Sequence, residues 1–347
     1  MQFNFELVKR LSEATGIAGR EDAVREIVLA EMRPLVDEVT VDPLGSVIGI
    51  KKGSGGPRVM LAAHMDEIGF MVKFIDDCGF VRLQTVGGFD ARVLPAQRVR
   101  VHTEEGEALL GVLQPGTKPI HLLAKDEITV PKLEDFYVDL GLGADEVRRK
   151  VHIGDMVTLD RTLERAGRMI TGKALDDRVS VFMMLEVLRA LGSHEVDVVA
   201  VATTQEEVGL RGAQTAAFGV NPDIGIALDV TVAADTPGVG AIDQVTKLGQ
   251  GVAIKMFDSS HIPNYKLVRH FRSIAEKHGI PHQLEVLPCG GTDGSALQRA
   301  RAGAPAITIS TPTRYLHTVN EMAHIDDIMA GIQLVTRYLE EAHDGSY

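Results

Sequence analysis

The sequence has no tryptophan and only two cysteines, Cys78 and Cys289. Two thiols are too few for a disulfide framework, and their separation is not the spacing of a cysteine metal site. Positive charge is also scarce: 36 Lys and Arg stand against 48 Asp and Glu, a formal net charge of −12. That balance excludes nucleic acid and anionic membrane as main partners, because both require a basic face. No apolar run approaches the ~18 residues of a membrane span. The start, MQFNFELVKRL, lacks the basic-then-apolar order of a secretory signal. A cytoplasmic protein is expected.

What is present is a large apolar fraction, 45% of 347 residues. This length exceeds the ~250–300 residues at which single cores tend to divide. Apolar residues at helical spacing predict helices over 5–14 and 21–35. Strands are expected at 36–41, 46–51 and 59–63, the last (VMLAA) a continuous apolar run of the fully buried kind. From Gly69 to about Asp160 the texture changes to short alternating segments such as FVRLQTV and QRVRVHT, separated by turn signals. That pattern predicts a small antiparallel β-barrel-like insert. Within it, 115–138 reads as a long loop. Strand–helix alternation then resumes: helices at 177–191, 210–218, 265–278, 294–301 and 325–342, and strands at 196–202, 224–228, 283–287 and 305–309. The expected architecture is α/β, a mixed-sheet α/β/α domain made of 1–68 and 161–347, interrupted by a β-rich domain at 69–160.

The chain centres on TTQEEVGLRGA (203–213), which leaves the apolar run VDVVAVA. Adjacent Glu206 and Glu207 would sit at the carboxyl end of a central strand, where ligands bind in open α/β sheets. Like charges side by side need a proton or a cation between them. His64, Asp176, Asp229 and His317 fall at comparable positions, at or just beyond strand ends. Two imidazoles with three or four carboxylates suit zinc, cobalt or manganese and exceed the needs of one tetrahedral ion. A pair of ions would use them all. Asp66, two residues after His64, shares its face in extended chain and can fix the imidazole tautomer.

The set AAHMDEIGF, GKALDDRVS, TTQEEVGLRGA, ALDV, CGGTDGSAL and PTRYLHT closely resembles the M42 family of dinuclear-metal aminopeptidases, the tetrahedral or TET-type peptidases. The resemblance runs from the N-terminal helices to the last helix. It implies two divalent ions per subunit, zinc or cobalt, with manganese also suitable. His64, Asp176 and Asp229 would hold the first, and Asp176, Glu207 and His317 the second, with Asp176 shared. Glu206 would be the general base and Asp66 the partner of His64. It also implies short peptides as substrates, dimer contacts through the β-rich insert, and assembly of dimers into a tetrahedral dodecamer. Related enzymes have a cis bond at the position of Asp176 and Asp177.

Other residues have less defined roles. Thr292 and Asp293, in a glycine-rich turn opening a helix, are candidate substrate-site residues, as are Arg314 and His121. Asp177 is expected to cap the helix that follows it. Some members of the family have been described as endoglucanases. Glycoside hydrolysis needs two carboxylates and no metal, so the two histidines argue against it. A non-catalytic metal- or peptide-binding scaffold is the remaining alternative, and the retention of Glu206 argues against that.

Overall fold

The computed structural model describes residues 2–124, 129–342 and 346–347. Helix α1 (Phe5–Glu13) starts where the Asn4 side chain accepts the Leu7 N–H, and it buries Leu7, Val8 and Leu11. Helix α2 (Asp22–Met32) buries Val24, Val28, Leu29 and Met32 on one face. A hairpin of β1 (Glu38–Val41) and β2 (Val47–Lys51) leads to β3 (Arg58–His64), which is buried along all but its first residue.

The chain then leaves for the insert, made of β4 (Gly69–Ile75), β5 (Val81–Val86), β6 (Gln97–His102), β7 (Ala108–Pro115), β8 (Phe136–Asp139), α3 (Ala144–Lys150) and β9 (Met156–Leu159). These strands close a barrel in the order β4-β5-β8-β7-β6-β9, with Phe70 opposite Val157 where β9 returns to β4. Phe70, Val72, Val99, Val101, Phe136 and Val157 belong to its interior. The stretch expected as a long loop is partly structured. It ends in β8 and holds the 3₁₀ turns Ile120–Leu122 and Leu133–Asp135, while 125–128 lie outside the described residues.

The sandwich resumes with β10 (Glu164–Ala166), β11 (Met169–Gly172), α4 (Leu175–Ala190), β12 (Asp197–Thr203), α5 (Arg211–Val220) and β13 (Ile224–Val232). It continues through β14 (Val252–Phe257), α6 (Tyr265–His278), β15 (His282–Val286), α7 (Gly294–Gln298), β16 (Ala306–Arg314), β17 (Glu321–His324) and α8 (Ile325–Glu341). The sheet runs β1-β2-β12-β3-β13-β16-β17-β11-β10, with β14 and β15 branching from β16.

Strands β12, β3, β13 and β16 are mutually parallel, so their carboxyl ends share one edge. Helices α1, α2, α4, α6 and α8 pack against one face, and α5 and α7 against the other. Helix α4 is apolar on nearly every side and is buried throughout 175–188, as a helix enclosed by sheet and neighbours must be. Arg178 sits inside this core. Its guanidinium donates to the carbonyls of Met65, Leu11, Ala14 and Gly16 and so ties α1 to the turn after β3.

Candidate metal centre

The shared carboxyl edge gathers the acidic and imidazole residues. His64 is the last residue of β3 and lies opposite Thr203, the last of β12. The turn after β12 carries Glu206 and Glu207. It reverses through left-handed Gln205 (φ 56°) and Gly209 (φ 122°), and the amide of Gly212 donates to Thr204 O. Asp229 lies on β13 opposite Ser310. Asp176 opens α4 beside left-handed Ala174 (φ 54°), and its bond to Asp177 is cis. His317 follows β16 with φ 60°.

Asp176 stands between the two imidazoles. Its Oδ1 is 3.1 Å from His64 Nε2 and its Oδ2 is 3.2 Å from His317 Nε2. Donor atoms of His64, Asp176 and Asp229 lie within 4.8 Å of one another, as do those of Asp176, Glu207 and His317. The two triads thus have one member in common. Glu206 belongs to neither, but its Oε2 is 3.9 Å from His64 Nε2.

Backbone carbonyls orient both imidazoles and fix a proton on each Nδ1. The Nδ1–H of His64 donates to Asp66 O at 3.0 Å, and that of His317 to Gly88 O at 2.9 Å. Each Nε2 faces the cluster, donating to Asp176 while protonated and offering its lone pair once a metal takes the proton's place. The Asp66 carboxylate is farther from His64 Nδ1, at 3.5 Å. It instead accepts the N–H groups of Glu206 (2.9 Å) and Glu207 (3.1 Å), which fixes the turn presenting both glutamates. Asp177 does not make the cap expected of it; its Oδ2 accepts the His64 N–H at 3.1 Å.

Burial pushes Asp229, Glu206 and Asp177 well above the usual carboxylate range, with neighbouring carboxylates adding to the rise. Glu207 is pushed up to about 7 by burial and then by Asp176. Burial would also raise Asp176, but its hydrogen bonds to His317 and His64 outweigh this and hold it low. His317 rises to about 10: burial opposes the charge, and Asp176 more than compensates. So many buried carboxylates cannot all ionise unless cations join them. Imidazole nitrogens and carboxylate oxygens are the donors that zinc, cobalt and manganese take. The residues therefore fit a divalent metal pair.

The cluster opens into a cavity of about 670 Å³ whose wall includes Thr292, Leu210, Leu316, Phe89 and the exposed Cys289. Asp293 lies buried behind it and accepts the Thr203 hydroxyl at 2.6 Å. Arg314 pairs through two nitrogens with Asp235, both at 2.8 Å, and is not part of that wall. His121 is exposed on the barrel, also outside the wall. A second cavity of about 670 Å³, lined by Leu44, Ile48, Val199 and Ala216, carries no such cluster.

Sequence reasoning missed Glu321. It is 2% exposed, and its two oxygens accept the backbone N–H groups of Asp176 (3.0 Å) and His317 (2.8 Å). Burial, then the Asp176 charge, push it up to about 8. The spacing HTVNE (317–321) was its only signal.

A three-layer α/β/α sandwich with an inserted closed barrel and two His/carboxylate triads sharing a carboxylate has the fold of the TET aminopeptidases. The chain belongs to the M42 peptidase family: residues 45–334 match the family described as M42 glutamyl aminopeptidase. It is 38% identical to a lysyl aminopeptidase of Pyrococcus furiosus, covering 97% of each chain. Among solved structures it resembles aminopeptidase APDkam598 of Desulfurococcus kamchatkensis (41% identity, TM-score 0.94, 97% of this chain and 94% of that one). It also resembles the TET1 peptidase of Pyrococcus horikoshii (33% identity, TM-score 0.86, 97% and 99%), described as able to form a tetrahedron or a large octahedral shell. Among the described residues no helix is long and apolar enough to cross a membrane.

Proposed function

We propose that this protein is a metal-dependent aminopeptidase that releases N-terminal residues from short peptides. The observation that carries the reading is the pair of triads joined at Asp176. His64, Asp176 and Asp229 would hold one divalent ion and Asp176, Glu207 and His317 the other, zinc or cobalt best matching the donors, with manganese also suitable. Bound there, the metals supply Lewis acidity and a water activated near neutral pH.

The residues do the rest. Glu206 borders the cluster without belonging to either triad, which suits a general base that takes the proton of the attacking water and returns it to the departing amine. Asp66 keeps Glu206 in reach by holding its backbone N–H. Asp66 O and Gly88 O keep the imidazole lone pairs turned inward. Thr292 lines the substrate cavity and Asp293 backs it, whereas Arg314 would act only through Asp235. His121, exposed on the barrel, would serve a neighbouring subunit's site. In this reading the protein is cytoplasmic, residues 69–160 form the dimerisation domain and dimers assemble into a tetrahedral dodecamer; a tetrahedron is the assembly described for the TET1 relative.

The test is hydrolysis of aminoacyl-p-nitroanilides beside N-acetylated controls, after chelation and after adding back zinc, cobalt or manganese. Metal-restored turnover of free amines alone is expected. Equal turnover of acetylated substrates, or activity indifferent to chelation, refutes the proposal.

A further inference from the structure

The cavity that holds the triads does not stop at Asp229. It continues to Thr231, two residues along β13 and on the same strand face, and then to Lys255, Ser260, Leu287 and Thr292. A first residue whose carbonyl sits over the cluster would extend its side chain into this arm. Outside the cluster, the charged residues of the wall are Asp90 and Lys255. Asp90 is engaged by Arg92 at the exposed rim. Selection by charge therefore falls to Lys255.

Lys255 is fully buried on β14, directly across from Glu285 on β15. Its ammonium donates to Glu285, which also accepts the Thr231 hydroxyl at 2.6 Å. The Asp258 carboxylate is 3.5 Å from the same ammonium, and its other oxygen accepts the N–H (2.8 Å) and hydroxyl (2.9 Å) of Ser260. One cation thus meets two buried carboxylates, 0% and 1% exposed. The second oxygen of Glu285 and the Oδ2 of Asp258 have no hydrogen-bond partner among the described residues.

Resting on the aminopeptidase reading, we infer that the Lys255–Glu285 pair, backed by Asp258, determines specificity by refusing acidic first residues and admitting uncharged or basic ones. Among the described residues, a substrate carboxylate in this arm finds no free donor cation. It must displace Glu285 from Lys255, or lose its water beside two carboxylates already there, and both are unfavourable. An uncharged side chain meets Leu287 and the stem of a neutralised lysine and bears no such cost. The family description, glutamyl aminopeptidase, would suggest the opposite preference.

The experiment compares kcat/KM of the metal-loaded enzyme on leucyl-, lysyl-, glutamyl- and aspartyl-p-nitroanilide. Leucine or lysine should exceed both acidic substrates by at least about tenfold, the discrimination a mismatched buried group readily gives. Acidic substrates equal to or better than these overturn the inference. Glu285→Gln and Asp258→Asn each remove one charge facing Lys255, and each should raise the glutamyl-to-leucyl ratio about tenfold. The second variant keeps the test alive should the first fail to fold. An unchanged or lower ratio in a folded, metal-loaded variant refutes the assignment.

If no anilide is cleaved, the aminopeptidase reading fails, and calorimetric titration of the metal-loaded protein with free L-leucine, L-lysine and L-glutamate still tests the pocket. Weaker binding of glutamate than of leucine or lysine sustains it. Tighter glutamate binding, or no binding of any of the three, overturns it.

Discussion

Glu321 reaches Asp176 through the backbone: its Oε2 accepts the Asp176 N–H at 3.0 Å while its Oε1 accepts the His317 N–H at 2.8 Å. One side chain therefore sets the position of the carboxylate common to both triads and of an imidazole that faces it. Glu321→Ala should weaken metal binding about 10–100-fold, the usual effect of losing a residue that orients a ligand. Competition with a chromophoric chelator measures this, and unchanged affinity in a folded variant would show that the two N–H groups need no such brace.

Asp176→Asn and Glu206→Gln should separate holding metal from moving a proton. The first removes the member shared by both triads and should release bound metal. The second should retain metal and lose at least about 10²-fold in kcat. Elemental analysis beside kinetics distinguishes them. Metal loss from Glu206→Gln would place that residue among the ligands.

Metal removal should make stability depend on pH. Burial raises Glu207 from 4.5 to about 7 and Glu321 from 4.5 to about 8, and lifts Asp229 and Glu206 in the same direction. Between pH 4.5 and 8 the folded metal-free protein thus holds protons that the unfolded chain has released, so its stability falls as pH rises. His317, raised to about 10, adds a loss of the same sign above 6.5. Divalent metal replaces those protons. The gap in Tm between metal-loaded and chelated protein should therefore widen from pH 5 to 8. A gap that is constant or narrows contradicts this account.

Gly87 should resist substitution. Its φ is +87°, and a Cβ there would lie 2.6 Å from Ile68 Cγ2 and 3.2 Å from Glu207 Oε2. Gly87→Ala should cost about 1–2 kcal/mol for the left-handed backbone alone and should also displace Glu207. Thermal unfolding and metal titration measure both, and a neutral substitution would mean that the segment relaxes freely.

His64, Glu206, Glu207, Asp229 and His317 were legible because each lies near the end of an apolar, β-branched run that had to be a buried strand. The barrel was legible from its alternation. Glu321 was not, because it acts through two backbone amides and lies on β17, four residues long, whose pairing with β11 and β16 no local pattern announces. Strand β14 was hidden by Lys255, a charge in the middle of an otherwise apolar segment, held there by Glu285, which β15 brings opposite it, and by Asp258. Arg314 looked available to a substrate until the fold delivered Asp235 to it.

The hydrogen bond from His317 to Gly88 O spans 229 positions in sequence, and it joins the last third of the sandwich to the segment between two barrel strands. The insert is therefore not an accessory that could be cut away to leave a smaller working unit. A chain spliced from β3 directly to β10 would keep every ionisable member of both triads and still lose the fixed orientation of one imidazole. The ring's orientation is thus tied directly to the barrel's backbone, so a shift of that segment would be passed to His317 through a single hydrogen bond.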